Sequence, residues 1–516
     1  MSFLYNNVAV IVVAAVASLM GWLFGGARGE LLLPVVPWLC VLMIEVLLCY
    51  PQRHHGETTY EARSRVWRQV RRSPIVWTAI GFMVLLAIPF VNNGLCSVCD
   101  AALLAEGVDS APSVPFLPFC VNRLDHLDVF LWFLIALPSV VAVHYSLTRR
   151  GKRLVIEMIV WNGAALAMLG FFQGATGAQG PFWTAPGEGR QAVDFFSSFG
   201  YPNMGGDYFT VLFGLAVALW RDKFEFLRKE EQEKDKADEA GSARRPYGAF
   251  WKRHYFLIPA ILFFFAALNT LSRAAIILVS VTAVIYFVHT LVVFLSRMRK
   301  SRRVFVGVWS MVVFALILFF ATVFMPDKIK KEVDTLGTTV VLDRVTGRGQ
   351  YHAQVATAIW KDHPLFGCGG WGYLHFCVPK MEELNIDLDK LQVIGGINVH
   401  NDYLQLLAEH GIVGFGALVA IVLMLIWPVA RQWRDIVHDL RFVKGKNLPP
   451  KPIQIFAIPA SAFFVMVAVT TTLIHAFGDC PLRSCAVLDL FFISIAALPG
   501  FMPKHEHRHH STTTTR

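Results

Sequence analysis

Titratable side chains in an otherwise apolar chain crowd into His400-Asn401-Asp402-Tyr403-Leu404-Gln405-Leu406-Leu407-Ala408-Glu409-His410-Gly411. An imidazole such as that of His400 accepts a proton near neutral pH, and Asp402 or Glu409 could orient it or share the work. On a helix, His400 and Tyr403 fall on one face with Leu404 and Leu407, a face that would look toward an apolar bundle. His352, His363, His375 and His410 are equally titratable by type, so position alone does not single out His400. A histidine satisfied at an interface is the plain alternative. A guanidinium, the planar fork that suits phosphate oxygens, stands in Leu271-Ser272-Arg273-Ala274-Ala275 between two apolar runs. The competing reading of Arg273 is a side chain reaching for lipid headgroups. Arg344 and Arg348 lie four residues apart ahead of a helical stretch. They could instead pair with Asp343 or rest on lipid phosphates, as Lys328, Lys330 and Lys331 are expected to do.

What must position these groups is a bundle of helices in a membrane. The chain has 516 residues, 55% of them hydrophobic and 16% charged, a balance that excludes a soluble enzyme. Twelve apolar runs, at roughly 8–24, 31–50, 75–91, 129–146, 154–172, 205–220, 255–270, 274–296, 304–324, 412–429, 453–474 and 486–502, are each read as crossing the hydrocarbon. Helices or closed barrels alone satisfy the backbone in lipid, and the alternation of a barrel is missing. The expected fold class is therefore all-α and polytopic. Basic residues concentrate in alternate loops: Arg63 to Arg72, Arg149-Arg150-Gly151-Lys152-Arg153, Arg221 to Arg253, Arg297 to Arg303, and Arg431 to Lys451. This bias predicts both termini in the cytoplasm. The net charge of +10 reflects the same bias and anionic lipid. It is spread over loops without interleaved aromatics, which argues against nucleic acid. Met1 to Asn7 carries no Lys or Arg, so the first run reads as a retained anchor and not a cleaved signal.

Four stretches follow: 1–324 with nine spans and basic loops, 325–411 as one large outer loop, 412–502 with three spans, and a His- and Thr-rich tail at 503–516. The tail reads as a disordered end. The charged segment Glu230 to Lys236 reads as a solvated helix or linker. Within the large loop, Tyr351, Val355, Ile359 and Trp360 have helical spacing over 347–362, and Pro364 and the glycines 367, 369, 370 and 372 end it. A second helix is expected from about 401 to 410, with Gly411 as its stop. Seven of the nine cysteines fall on the outer side in this topology. Cys96/Cys99, Cys368/Cys377 and Cys480/Cys485 could be local disulfides, and a four-thiolate zinc site from the first and last pairs is the alternative. No dense Asp and Glu cluster suits a divalent ion on that side, so neither metal nor cofactor is expected.

The combination Gly347-Arg348, Ala356, Trp360, Asp362-His363-Pro364-Leu365-Phe366-Gly367, Gly369-Gly370 and His400 through Gly411 closely resembles the signature of the O-antigen ligase/polymerase family. Ser272-Arg273-Ala274-Ala275 and Pro202-Asn203 are similar to that family's other marks. The resemblance implies a GT-C-like membrane glycosyltransferase in the bacterial inner membrane with its active site on the periplasmic face. Its donor would be a glycan on undecaprenyl diphosphate, and its acceptor a hydroxyl of lipid A–core, of a growing polysaccharide or of a protein. By motif match, Arg273 and Arg348 would bind the diphosphate and His400 would be the essential histidine. Asn203, Arg344, Asp402, Tyr403 and Glu409 would support them. Partners would be the lipid-linked donor, the acceptor, the bilayer and envelope-polysaccharide assembly proteins.

That chemistry is coherent from the residues. A lipid diphosphate is a weak base and leaves without a general acid, provided cations stabilise the charge it takes. The attacking hydroxyl must lose its proton, a task for His400. In-line attack would invert the anomeric carbon. Polymerase activity differs in acceptor alone. A secondary transporter of a small anion is the reading of another class, with Asp207 as its best residue, although no repeated halves are detected. A non-catalytic scaffold ranks last.

Overall fold

The computed structural model describes residues 2–23, 25, 29–92, 114, 116–184, 195–237, 248–296, 302, 304–312, 327–334, 349–386, 398–442 and 459–502. Among them every regular element is a helix. In chain order the longer ones are α1 (Ser2–Trp22), α2 (Val36–Cys49), α3 (Thr59–Arg72), α4 (Pro74–Ala87), α5 (Arg123–Val141), α6 (Arg149–Ala175), α7 (Pro202–Ala237), α8 (Leu257–Asn269) and α9 (Arg273–Ser296). After them come α10 (Asp327–Asp334), α11 (Gly349–Asp362), α12 (Gly372–Glu383), α13 (Asp402–Phe442), α14 (Ala460–His475) and α15 (Cys485–Ala497). Among the described residues, five helical stretches are long and apolar enough to cross a membrane, at 123–146, 149–175, 251–269, 273–296 and 402–436. The bent pair Thr59–Arg72 and Pro74–Phe90 makes a sixth if it counts as one. Four further apolar helices, Asn6–Trp22, Val36–Cys49, Ala460–His475 and Cys485–Phe501, are shorter. The expected count of twelve thus exceeds what length and apolarity support in the described residues, because several of its runs are realised as short helices. Most of the expected ninth run, 304–324, lies outside the described residues, as do Cys96 and Cys99.

Local chemistry explains the helix ends. Thr58 and Glu61 form a reciprocal capping box at the start of the basic, amphipathic α3. Ser73 then caps α4, whose first residue is Pro74, where a missing N–H costs nothing. The chain bends by 61° at that junction. In the centre, α7 packs against α14, α8, α9 and α6, burying Tyr208, Phe209, Leu212 and Leu215. Every residue of α15 is buried, and apart from Asp489 and Ser494 they are apolar, as befits a helix surrounded by others.

A second, smaller core lies beside the bundle. Val355 and Ile359 of α11, Tyr373 and Phe376 of α12, and Val399 and Ala408 around the start of α13 form it. Two glycines let this layer grip the bundle. Gly411 takes φ +61 and ψ −173 inside α13, so the expected stop is a break from which the helix resumes into the apolar run. Gly367, at φ +72, faces it across a close backbone approach: an added Cβ on Gly367 would strike Glu409 and His410, and one on Gly411 would strike Leu365 and Phe366. The two segments are sewn together by Cys368 N to Ala408 O (3.0 Å), Gly369 N to Glu409 O (2.8 Å), Ile412 N to Pro364 O (2.9 Å) and Val413 N to Leu365 O (3.1 Å). On the far side Gly370 N donates to His126 Nδ1 at 2.8 Å, while His126 Nε2 bonds Leu86 O at 2.8 Å. The glycine-rich turn is thereby fixed to α4, α5 and α13 at once.

Candidate active site

His400 sits in the turn that leads into α13, with φ +53. A left-handed backbone at a bulky residue is uncommon and costs about 1–2 kcal/mol, so it persists where surroundings hold it. Leu271, immediately before Ser272-Arg273, and Trp371, capping α12, share this geometry at φ +59 and +58. Nδ1 of His400 lies 3.3 Å from Asp479 Oδ1. Because Asp479 can accept but not donate, this fixes the proton on Nδ1 and leaves Nε2 with its lone pair. The His400 side chain is 37% exposed and that of Asp479 10%, so the imidazole faces outward from a buried carboxylate.

Asp479 is the hub. Asn203 Nδ2 donates to its Oδ2, Tyr201 OH to Oδ1 at 3.2 Å, and the Cys480 N–H and thiol to Oδ1 at 2.7 and 3.3 Å. Burial pushes the carboxyl up, but the hydrogen bond and charge of His400, the charge of His475 and the Cys480 amide outweigh it. The carboxyl is held below the usual carboxylate range. The same burial and the neighbouring Asp479 charge push the Cys480 thiol well above its ordinary value.

The network extends to Arg273. Ser272 Oγ donates to Asn203 Oδ1 at 2.5 Å and accepts from Ala275 N at 3.2 Å, capping α9. Arg273, the first residue of that helix, is thus set next to a chain of bonds running Ser272, Asn203, Asp479, His400. Its Nε is 2.6 Å from Glu332 Oε2 of α10, both side chains about a quarter exposed. Arg344 and Arg348 lie outside the described residues.

The remaining expected residues hold the scaffold around the imidazole. Asp402 Oδ2 accepts from Leu482 N at 2.9 Å, and its own N–H donates to Ala476 O at 2.9 Å. Tyr403 OH donates to Leu473 O at 2.6 Å. Glu409 Oε2 accepts from Arg483 Nη1 at 2.8 Å and its Oε1 from Gln405 at 3.0 Å. The carboxylate on His400 is accordingly neither Asp402 nor Glu409. Of the other histidines, three are placed apart by their contacts: His375 bonds Asp125 at 2.8 Å, and His363 packs on the rings of Phe119 and Phe376. His410 is buried beside Phe82. His352 bonds Tyr373 OH at 2.6 Å, its ring centre 5.5 Å from that of His400. Asp207 is fully buried and bonds His475 Nδ1 at 3.0 Å and Thr472 at 2.7 Å.

The expected Cys368/Cys377 and Cys480/Cys485 bridges are not formed: Cys377 and Cys480 are thiols, bonded to Tyr373 and Asp479.

A largely apolar cleft of about 890 Å³, counting its open mouth, runs between α5, α13, α14 and α15, and none of His400, Asp479 and Arg273 lines it. Asp402, Tyr403 and Arg483 stand among its walls with Trp132, Leu418 and Phe491.

Asp479 and His475 were missed by reading the sequence. One signal was available: Asp479 is the sole carboxylate between the apolar runs 453–474 and 486–502. Residues 258–419 match the family model described as O-Antigen ligase, a stretch that takes in Arg273, Arg348 and His400 and stops short of Asp479. No curated protein matches the chain.

Proposed function

We propose that the chain, whose residues 258–419 match the O-antigen ligase family model, transfers a glycan from undecaprenyl diphosphate to an acceptor hydroxyl at the periplasmic face of the inner membrane. The observation that carries the reading is the His400–Asp479 pair, an outward-facing imidazole whose proton is held on the buried side. The acceptor O–H gives its proton to Nε2 as its oxygen forms the new bond to the anomeric carbon. The bond from that carbon to the diphosphate oxygen breaks, and the electron pair leaves with the lipid diphosphate. Arg273, together with Arg348 by motif, takes up the charge gained by that leaving group. Lipid A–core is the acceptor proposed first, with a growing polysaccharide or a protein hydroxyl as the alternatives. Addition of one preassembled chain marks a ligase, and a ladder of products a polymerase.

The apolar cleft that reaches Asp402 and Tyr403, two and three residues after His400, supports a donor with a long hydrocarbon tail. Asp207, the best residue of the anion-transporter reading, is buried and bonded to His475 and Thr472. The test is transfer by the purified protein from a lipid-linked glycan to acceptor. Arg273→Ala is expected to elute as folded protein and to lose about 10²-fold in rate. Undiminished turnover in that variant, or uptake of a labelled anion into proteoliposomes without donor, would overturn the reading.

A further inference from the structure

We propose that His400, Asp479 and Cys480 together form a binding site for one soft divalent cation, with Zn²⁺ the best fit, and that occupancy switches the site off. The three side chains bring one nitrogen, one oxygen and one sulfur donor, all within 4.8 Å of one another. Two of the three edges are already set, at 3.3 Å between His400 Nδ1 and Asp479 Oδ1 and 3.3 Å between Cys480 Sγ and the same oxygen. A tetrahedral zinc with bonds of about 2.0–2.3 Å holds its ligand atoms roughly 3.3–3.8 Å apart. Closure therefore asks for a small swing of the imidazole toward the thiol and little else. Among the described residues no other set of three His, Cys, Asp or Glu side chains meets this spacing.

The donor set selects the ion. Imidazole and thiolate suit zinc, whereas magnesium and calcium seek oxygen alone. Asp479 and Cys480 are buried and fixed by their neighbours, while His400 opens to solvent. Two ligands are thus preset and the third can close over an arriving ion, whose remaining position water would fill. On binding, the Cys480 thiol releases its proton to solvent and ligates as thiolate.

The consequence for transfer rests on the reading of His400 as base. Coordination takes the Nδ1 lone pair, so the ring proton must move to Nε2. An imidazole in that state has no lone pair left for the acceptor's proton. Zinc would thus compete with the Asp479 hydrogen bond that makes His400 a base.

The experiment titrates the purified full-length protein with Co²⁺, a spectroscopic stand-in for zinc, and then with Zn²⁺ in competition. A sulfur-to-cobalt charge-transfer band that saturates at one equivalent and is bleached by Zn²⁺ is expected. It should vanish in Cys480→Ser and in His400→Asn, each checked by elution as folded protein. The histidines of the 503–516 tail can bind cobalt but cannot give a sulfur band. Absence of the band, or its persistence in Cys480→Ser, overturns the site, and should that variant fail to fold, the exposed His400→Asn decides alone. In the transfer assay Zn²⁺ should inhibit reversibly, with the half-inhibiting concentration raised about tenfold or more in Cys480→Ser. The spectrum needs no turnover: a band with no inhibition keeps the ion site and sinks the base role of His400, whereas no band leaves that role standing.

Discussion

Replacement of His400 by asparagine is expected to lower glycan transfer by about 10²–10⁴-fold while leaving the protein folded. Asparagine is the informative choice because position 400 has φ +53, a conformation asparagine tolerates better than alanine. The loss then reports the missing base and not a strained turn. Asp479→Asn should produce a comparable loss by another route. An amide at 479 can donate to Nδ1, which pulls the ring proton to Nε2 and leaves the wrong tautomer facing the acceptor. The carboxyl of Asp479 is held low, so it stays ionised across the neutral range and its contribution fades solely as pH falls through that lowered value. Initial rates from a defined lipid-linked donor decide the matter. A His400→Asn protein that retains more than about a tenth of the rate has lost no general base.

The second large effect is on stability. Glu409→Ala should destabilise the protein by about 3–5 kcal/mol, because it strands a buried guanidinium. Arg483 is 6% exposed and Glu409 fully buried. The guanidinium also lies 4.0 Å over the ring of Trp371, so it cannot swing out without unpacking the start of α12. The diagnostic is the double variant. Glu409→Leu with Arg483→Met removes both charges and should recover much of the loss, since a buried ion pair is often no better than apolar residues of similar size. Thermal unfolding in detergent measures both. If the double variant is no better than Glu409→Ala, the carboxylate matters for some reason other than pairing.

Much of the helical plan is legible because apolar runs in lipid leave the chain few choices. The runs at 129–146, 154–172 and 274–296 lie within helices that span 123–146, 149–175 and 273–296. The count of crossings is less legible, since a short apolar helix such as Val36–Cys49 reads the same whether it spans or tucks against a neighbour. The motif residues were visible, but their partition was not. Glu409 and Asp402 are as titratable as any base-orienting carboxylate, and what makes them scaffold is the Arg483 fork and the Leu482 amide, both far along the chain. Asp479 pairs with His400 across 79 residues, and two neighbouring cysteines suggested a disulfide there instead. The glycines explain their own motif best: Gly367 and Gly411 are spaced for nothing local, and their meaning is the mutual approach of two backbones.

The imidazole and its carboxylate stand on opposite sides of residues 443–458, His400 just ahead of α13 and Asp479 between α14 and α15. A polypeptide severed in that interval would separate acid from base onto two pieces, each inert on its own. Co-expression of the halves should restore sugar transfer to the extent that they reassemble, and mixing a His400→Asn first half with an intact second half should not.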